Sequence, residues 1–136
     1  MTRYAVAYVA TFIIFLGIDA VWLSTMSQRL YRQYLGDVLA ENFSPVPAVV
    51  FYLLYVVGMI IFALSPAFAT GKWTTAALYG ALFGFFAYAT YDLTSHATIR
   101  GWPAIITVVD IAWGTLVTSV SAALAFIVVQ YFYPQT

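Results

Sequence analysis

The sequence predicts an all-α integral membrane protein: a four-transmembrane-helix up-down bundle, with residues 1–136 forming a single transmembrane domain. Three observations predict it. Hydrophobic residues make up 64% of the chain and charged residues 7%; a soluble domain carries roughly 25% charged residues, so most of this surface must meet lipid. Four apolar runs follow one another, each close to the roughly 20 residues that cross a hydrocarbon core. Proline and glycine fall between the runs, at Pro45, Pro47, Gly71, Gly101 and Pro103, where helices stop and start.

The first run covers residues 4–26 after Arg3. It is longer than a signal-peptide core and ends in no small-residue cleavage site, so an uncleaved span is expected. Leu30, Tyr31, Tyr34 and Leu35 then recur among Arg29, Arg32 and Gln33, which predicts an amphipathic interfacial extension to residue 35. Gly36 ends it, and residues 37–44 form a loop. The second span, 45–68, opens on prolines, which suit a helix start. It carries no charge, and Pro66 is expected to bend or stop it. Thr70, Gly71 and Lys72 make a tight connection, leaving Trp73 at the interface. The third span is 75–97. Arg100, Gly101 and Trp102 turn the chain into the fourth, 103–131, which ends on the aromatic anchor Tyr131, Phe132 and Tyr133. Short connections make sequential helices antiparallel and put both termini on one side.

Several chemistries are excluded. Five basic and five acidic residues cancel, so no nucleic-acid partner is expected. The chain has no cysteine, hence no disulfide, thiolate nucleophile or iron–sulfur cluster. Lys72 is the only lysine and lies in a connection, so a retinal Schiff base has no anchor within the bundle. One histidine cannot make a bis-histidine haem site. There is no E-x-x-H pair, H-E-x-x-H, G-x-S-x-G or P-loop. No cofactor and no metal site is expected. The remaining chemical vocabulary is carboxylate, imidazole, tyrosine and arginine.

Within the spans lie three carboxylates, Asp19, Asp92 and Asp110. A charged side chain at the centre of a bilayer costs about 2.5–3.5 kcal/mol on insertion scales, which makes each a candidate functional residue. The up-down topology puts all three in the same half of the membrane. Helical phase puts Thr107, Asp110, Gly114, Thr118, Ser121 and Ala125 on one narrow face, and Ala77, Ala81, Gly84, Tyr88, Asp92 and Ser95 on another. Small-and-polar stripes of this kind serve helix contacts in lipid, so Asp92 and Asp110 should face each other. Asp19 shares its face with Phe12, Phe15 and Trp22. The candidate ligand- or proton-binding residues are therefore Asp19, Asp92, Asp110, Tyr88, His96, Trp22, Trp113 and Thr107. Each also has a structural reading. A lone intramembrane Asp serves as interhelical glue, His96 as a helix-end cap favoured by the dipole, and the repeat of D-x-x-W at Asp19–Trp22 and Asp110–Trp113 as a coincidence of composition or a pair of carboxylate–indole contacts.

Taken together, Leu16 to Leu23 around Asp19, Phe51 to Tyr55 with Gly58, Ala87 to Thr94 around Asp92, Gly101-Trp102-Pro103 and Asp110 to Gly114 resemble the bacterial membrane proteins grouped as domain of unknown function family 2177. The resemblance implies a small, multi-pass protein of the bacterial inner membrane with a compact helical bundle, and brings no catalytic role with it.

On function the residues support two classes. The first binds or transports a proton, a cation or a cationic amphipathic small molecule through a one-sided carboxylate site. Small four-span transporters dimerise around an acid in their first span, and by that analogy Asp19 points to a homodimer. The alternative is a membrane enzyme or accessory subunit acting on lipid, with Asp92, Asp110 and Tyr88 as acid–base groups, or a purely structural subunit. An aqueous funnel would favour the first class and a lateral aromatic slot the second. Membrane lipid is a partner in either case. Basic residues nearly tie across the membrane, and a cytoplasmic amino terminus is expected from the uncleaved first span.

Overall fold

In the computed structural model, residues 2–26 and 45–133 are described. The predicted extension to residue 35, its stop at Gly36 and the loop 37–44 lie outside the described residues. The described chain is helical: α1 (Thr2–Met26), α2 (Pro45–Met59), a π-helical segment (Ile60–Leu64), α3 (Ser65–Thr70), α4 (Trp73–Thr98) and α5 (Ala104–Phe132). Segments α2, π and α3 run on from one another as a single rod.

Of the two outcomes expected at Pro66, a bend or a stop, the stop does not occur, since helix continues to Thr70. Proline cannot donate to the carbonyl four residues back, and the helix absorbs the loss by widening just before it. The Ser65 N–H reaches the carbonyl of Ile60, five residues back, the hydrogen bond that defines a π turn. Gly58 lies two residues before the widening, where a Cβ would come within 2.5 Å of the tip of the Phe83 ring. That ring packs between Tyr55 and Phe62, at centroid distances of 5.0 and 5.6 Å.

The rod ends at Gly71, whose φ of 75° is left-handed and whose N–H bonds the Ala67 carbonyl at 2.7 Å. A residue without Cβ holds that cap at least strain. Gly101, at φ 78°, does the same for the turn between α4 and α5.

Three of the helical stretches are long and apolar enough to cross a membrane: Thr2–Thr25, Val46–Thr70 and Ala104–Phe132. The α4 helix is long but less apolar, because its second half carries Thr90, Asp92, Thr94, Ser95, His96 and Thr98. The three exposed threonines do not leave their hydroxyls open. Thr90 donates to the Phe86 carbonyl at 2.6 Å, Thr98 to Thr94 at 2.7 Å, and Thr94 to Thr90.

The closest helix contact is the antiparallel pair α4 and α5. A Cβ on Gly84 would lie 2.4 Å from the Gly114 carbonyl oxygen, and one on Gly114 would lie 2.1 Å from Cγ of Tyr88. Gly80 faces the Thr118 carbonyl in the same way, at 2.9 Å. The G-x-x-x-G spacing of Gly80 and Gly84 thus lets the two backbones meet, as small residues do in lipid. The α1 helix and the α2 rod close over this hairpin, with Phe15, Tyr55, Met59, Leu64 and Val117 buried between them.

Candidate carboxylate site

The three aspartates do lie in one half of the bundle, but in two different environments. Asp19 is 6% exposed and fully engaged. Its Oδ2 accepts from the Tyr52 hydroxyl at 2.5 Å and its Oδ1 from the Trp113 indole N–H at 3.0 Å. One carboxyl group thereby ties α1 to α2 and to α5. Trp22 stacks flat on Trp113, with centroids 4.2 Å apart and planes 9° apart. The two D-x-x-W motifs therefore interlock: the tryptophan of the second serves the aspartate of the first and stacks on the tryptophan of the first. This is the carboxylate–indole contact, made between helices.

Asp92 is the opposite case. It is 0% exposed, and neither of its oxygens makes a hydrogen bond of ordinary length among the described residues. Its carboxyl group faces Asp110 across the α4–α5 contact, near enough for the two to interact directly. Asp110 is only partly buried and is itself engaged. Tyr91 lies within electrostatic reach of both acids, and Tyr88 within reach of Asp110 on one side and Asp19 on the other. Tyr88 is fixed by Gly114, which leaves room for its ring, and by an edge contact with Tyr55 at 6.1 Å. Two carboxylates side by side, one of them withdrawn from water, repel each other. Unpaired buried charge is costly, so such a pair calls for a proton or a cation between its members.

Thr107 and His96 belong to a third arrangement at the turn. The Trp102 indole N–H donates to the Thr107 hydroxyl at 3.0 Å, and that oxygen lies 3.2 Å from Nδ1 of His96. His96 is exposed, and its contact is with the start of α5, the helix-end role. The eight candidate residues thus resolve into an acid pair with Tyr88, a clamp of Asp19, Trp22 and Trp113, and a turn lock of His96 and Thr107.

Sequence reasoning missed Tyr52 and Tyr55 as site residues. Tyr55 bonds Thr118 at 2.8 Å. Their signal was present: two hydroxyls three residues apart in a span without a charge. What no spacing on one helix contains is which acid each would meet.

On the outer face of α4 and α5 runs a shallow groove of about 710 Å³, lined by Phe85, Val108, Ile111 and Leu116 with Thr107 and Ser119. Neither Asp92 nor Asp110 lines it.

Long apolar helices packed through glycines, with hydroxyls satisfied by their own backbone and acids turned inward, define a helical protein embedded in a membrane. The chain belongs to the family described as Predicted membrane protein (DUF2177), whose model matches residues 4–127. No curated protein matches it, and no solved structure does.

Proposed function

We propose that the chain is a four-span protein of the bacterial inner membrane that binds a proton or a cation at the Asp92–Asp110 pair. The observation that carries this reading is Asp92, wholly buried with neither oxygen hydrogen-bonded to a donor among the described residues and a second carboxyl group opposite. Structural aspartates in lipid find donors, as Asp19 does; Asp92 has the arrangement of a ligand-binding acid. Tyr88, Tyr91 and Trp102 give the surroundings aromatic faces that also suit an organic cation. For α4 as the fourth span, the support is its length of 26 residues, its close contact with α5 and its self-satisfied threonines. With a cytoplasmic amino terminus the acids occupy the periplasmic half. Membrane lipid and a second copy of the chain are the proposed partners.

A second reading, binding of lipid with chemistry upon it, has one observation in its favour: the lateral apolar groove between α4 and α5. The acids are absent from its lining, which favours the first reading.

Tryptophan emission tests the proposal, since Trp102 and Trp113 flank Asp110 along the chain. The purified protein is titrated with protons, Na⁺, K⁺, Mg²⁺ and tetraphenylphosphonium in turn. At least one is expected to shift the emission of the wild type and to leave Asp92→Asn and Asp110→Asn unmoved. A wild type indifferent to all of them contradicts the reading.

A further inference from the structure

The groove on the outer face of α4 and α5 has a length and a chemistry of its own. Its lining comes from two matching stretches, Ala81 to Leu93 on α4 and Thr107 to Ser119 on α5. Ala81 and Ala112 make the depression, because their side chains are short where Phe85, Leu93 and Leu116 stand around them. Each stretch rises roughly 18 Å as helix, a little over half the ~30 Å of a hydrocarbon core. With α4 as the fourth span, the groove runs from the 98–103 turn through one leaflet and stops there. Three hydroxyls also line it, and each is engaged. Thr115 donates to the Ile111 carbonyl and Ser119 to the Ala77 carbonyl, both at 2.8 Å, while Thr107 accepts from Trp102 at 3.0 Å. Such a lining offers little to a polar ligand and suits a hydrocarbon chain.

The two ends of the groove differ in charge. Around its inner end, at Ala81 and Ser119, residues 73–91 and 111–133 contain no charged side chain. At the turn, residues 93–107 carry His96 and Arg100, both exposed, and no acid. His96 touches the lining directly, with Nδ1 3.2 Å from the Thr107 hydroxyl. That hydroxyl accepts from Trp102 and is free to donate its own proton to Nδ1, which leaves the Nε2 N–H of His96 as an outward donor.

We propose that the groove holds one acyl chain of an anionic phospholipid, with the headgroup phosphate at His96 and Arg100. The proposal rests on α4 as the fourth span and is independent of what the acid pair binds. An apolar slot one leaflet deep, with cations at its interfacial end alone, has the polarity of a single lipid. A second copy of the chain fits less well. In a two-fold dimer the same patch faces itself, and two grooves face to face enclose a void. Lipid tails are as apolar as leucine, so the groove contributes shape. The choice of headgroup falls to the basic residue, by about fivefold for one arginine near an anionic surface. No chemistry on the lipid is implied, since neither Asp92 nor Asp110 lines the groove.

Native mass spectrometry tests it on the full chain, delipidated in mild detergent and offered dioleoyl phosphatidylglycerol and dioleoyl phosphatidylcholine in equal amounts. The wild type should retain one phosphatidylglycerol with about fivefold preference. Ala112→Phe fills the depression from an exposed position and should lose the bound lipid. Leu78→Phe, exposed on α4 outside the groove, should keep it. Arg100→Gln should bring the two lipids close to parity. A wild type without preference overturns the proposal, as does Ala112→Phe that binds like the wild type. If Ala112→Phe fails to fold, an unchanged preference in Arg100→Gln overturns it instead. A wild-type dimer that Ala112→Phe splits gives the groove to a second copy and also overturns it. Impermeant maleimide on Lys72→Cys and Thr98→Cys in proteoliposomes separates the two ways of failing. Labels from opposite sides without lipid preference remove the lipid site alone. Labels from the same side remove α4 from the membrane, and the lipid site with it.

Discussion

At the scale of the residue, two aspartates with the same cost of insertion do different things because of what meets them. Asp19 has a phenol and an indole to accept from. Interhelical hydrogen bonds of this kind contribute about 0.6 kcal/mol on average and up to roughly 1.7, and removing one partner leaves the other buried and unmatched. Trp113→Phe removes one donor and keeps most of the stacked area. It should lower stability by about 1–2 kcal/mol, read from chemical unfolding in mild detergent. Asp92 has no such donors among the described residues. Asp92→Asn should leave stability unchanged or slightly raised, because it removes the repulsion with Asp110 and keeps the shape. The presence of acids within long helices was legible in the sequence, and so was their grouping towards one end of the bundle. Which of them is satisfied was not, since Tyr52 and Trp113 lie 33 and 94 residues from Asp19.

At the scale of the element, the helix pair α4–α5 depends on absent side chains. A Cβ on Gly114 would strike the root of the Tyr88 ring at 2.1 Å, where no rotation of the ring relieves the clash. Overpacking typically costs about 1–3 kcal/mol. Gly114→Ala should therefore lower the thermal midpoint and disturb the acid pair, since Tyr88 and Asp92 share a face of α4. Gly17 has open space at the Cβ position, so Gly17→Ala should be neutral or mildly stabilising by the same thermal measurement, helped by alanine's higher helix propensity. The small-and-polar stripes on α4 and α5 were legible because both helices keep a single period across the contact. The rod from α2 to α3 was less so. Proline read as a bend or a stop, and the π turn that accommodates Pro66 involves the backbone of Ile60 and Ser65, where side-chain identity gives no signal.

At the scale of the whole molecule, three helices among the described residues are apolar enough to span, and the α4 helix owes its lower apolarity to threonines and to residues turned inward. The proposed four-span arrangement puts Thr2 and Phe132 on one side of the membrane and the 98–103 turn on the other. The absence of cysteine makes the chain a clean background for labelling. Single cysteines at Thr2 and Tyr131 should react with an impermeant maleimide from the same side, and one at Arg100 from the opposite side. Labels at Thr2 and Tyr131 on opposite sides would remove α4 from the membrane and with it the intramembrane pair. The proposed division of labour is between a clamp at Asp19 and an ion-handling pair at Asp92 and Asp110. The measurement that tests it most directly is the infrared difference spectrum between acid and alkaline buffer, recorded with the unfolding midpoint for Asp19→Asn, Asp92→Asn and Asp110→Asn. The account predicts that Asp19→Asn loses stability and keeps the carboxyl signal, while the other two keep their stability and change or lose the signal. All three variants losing stability together, with no carboxyl signal in the wild type, would contradict it.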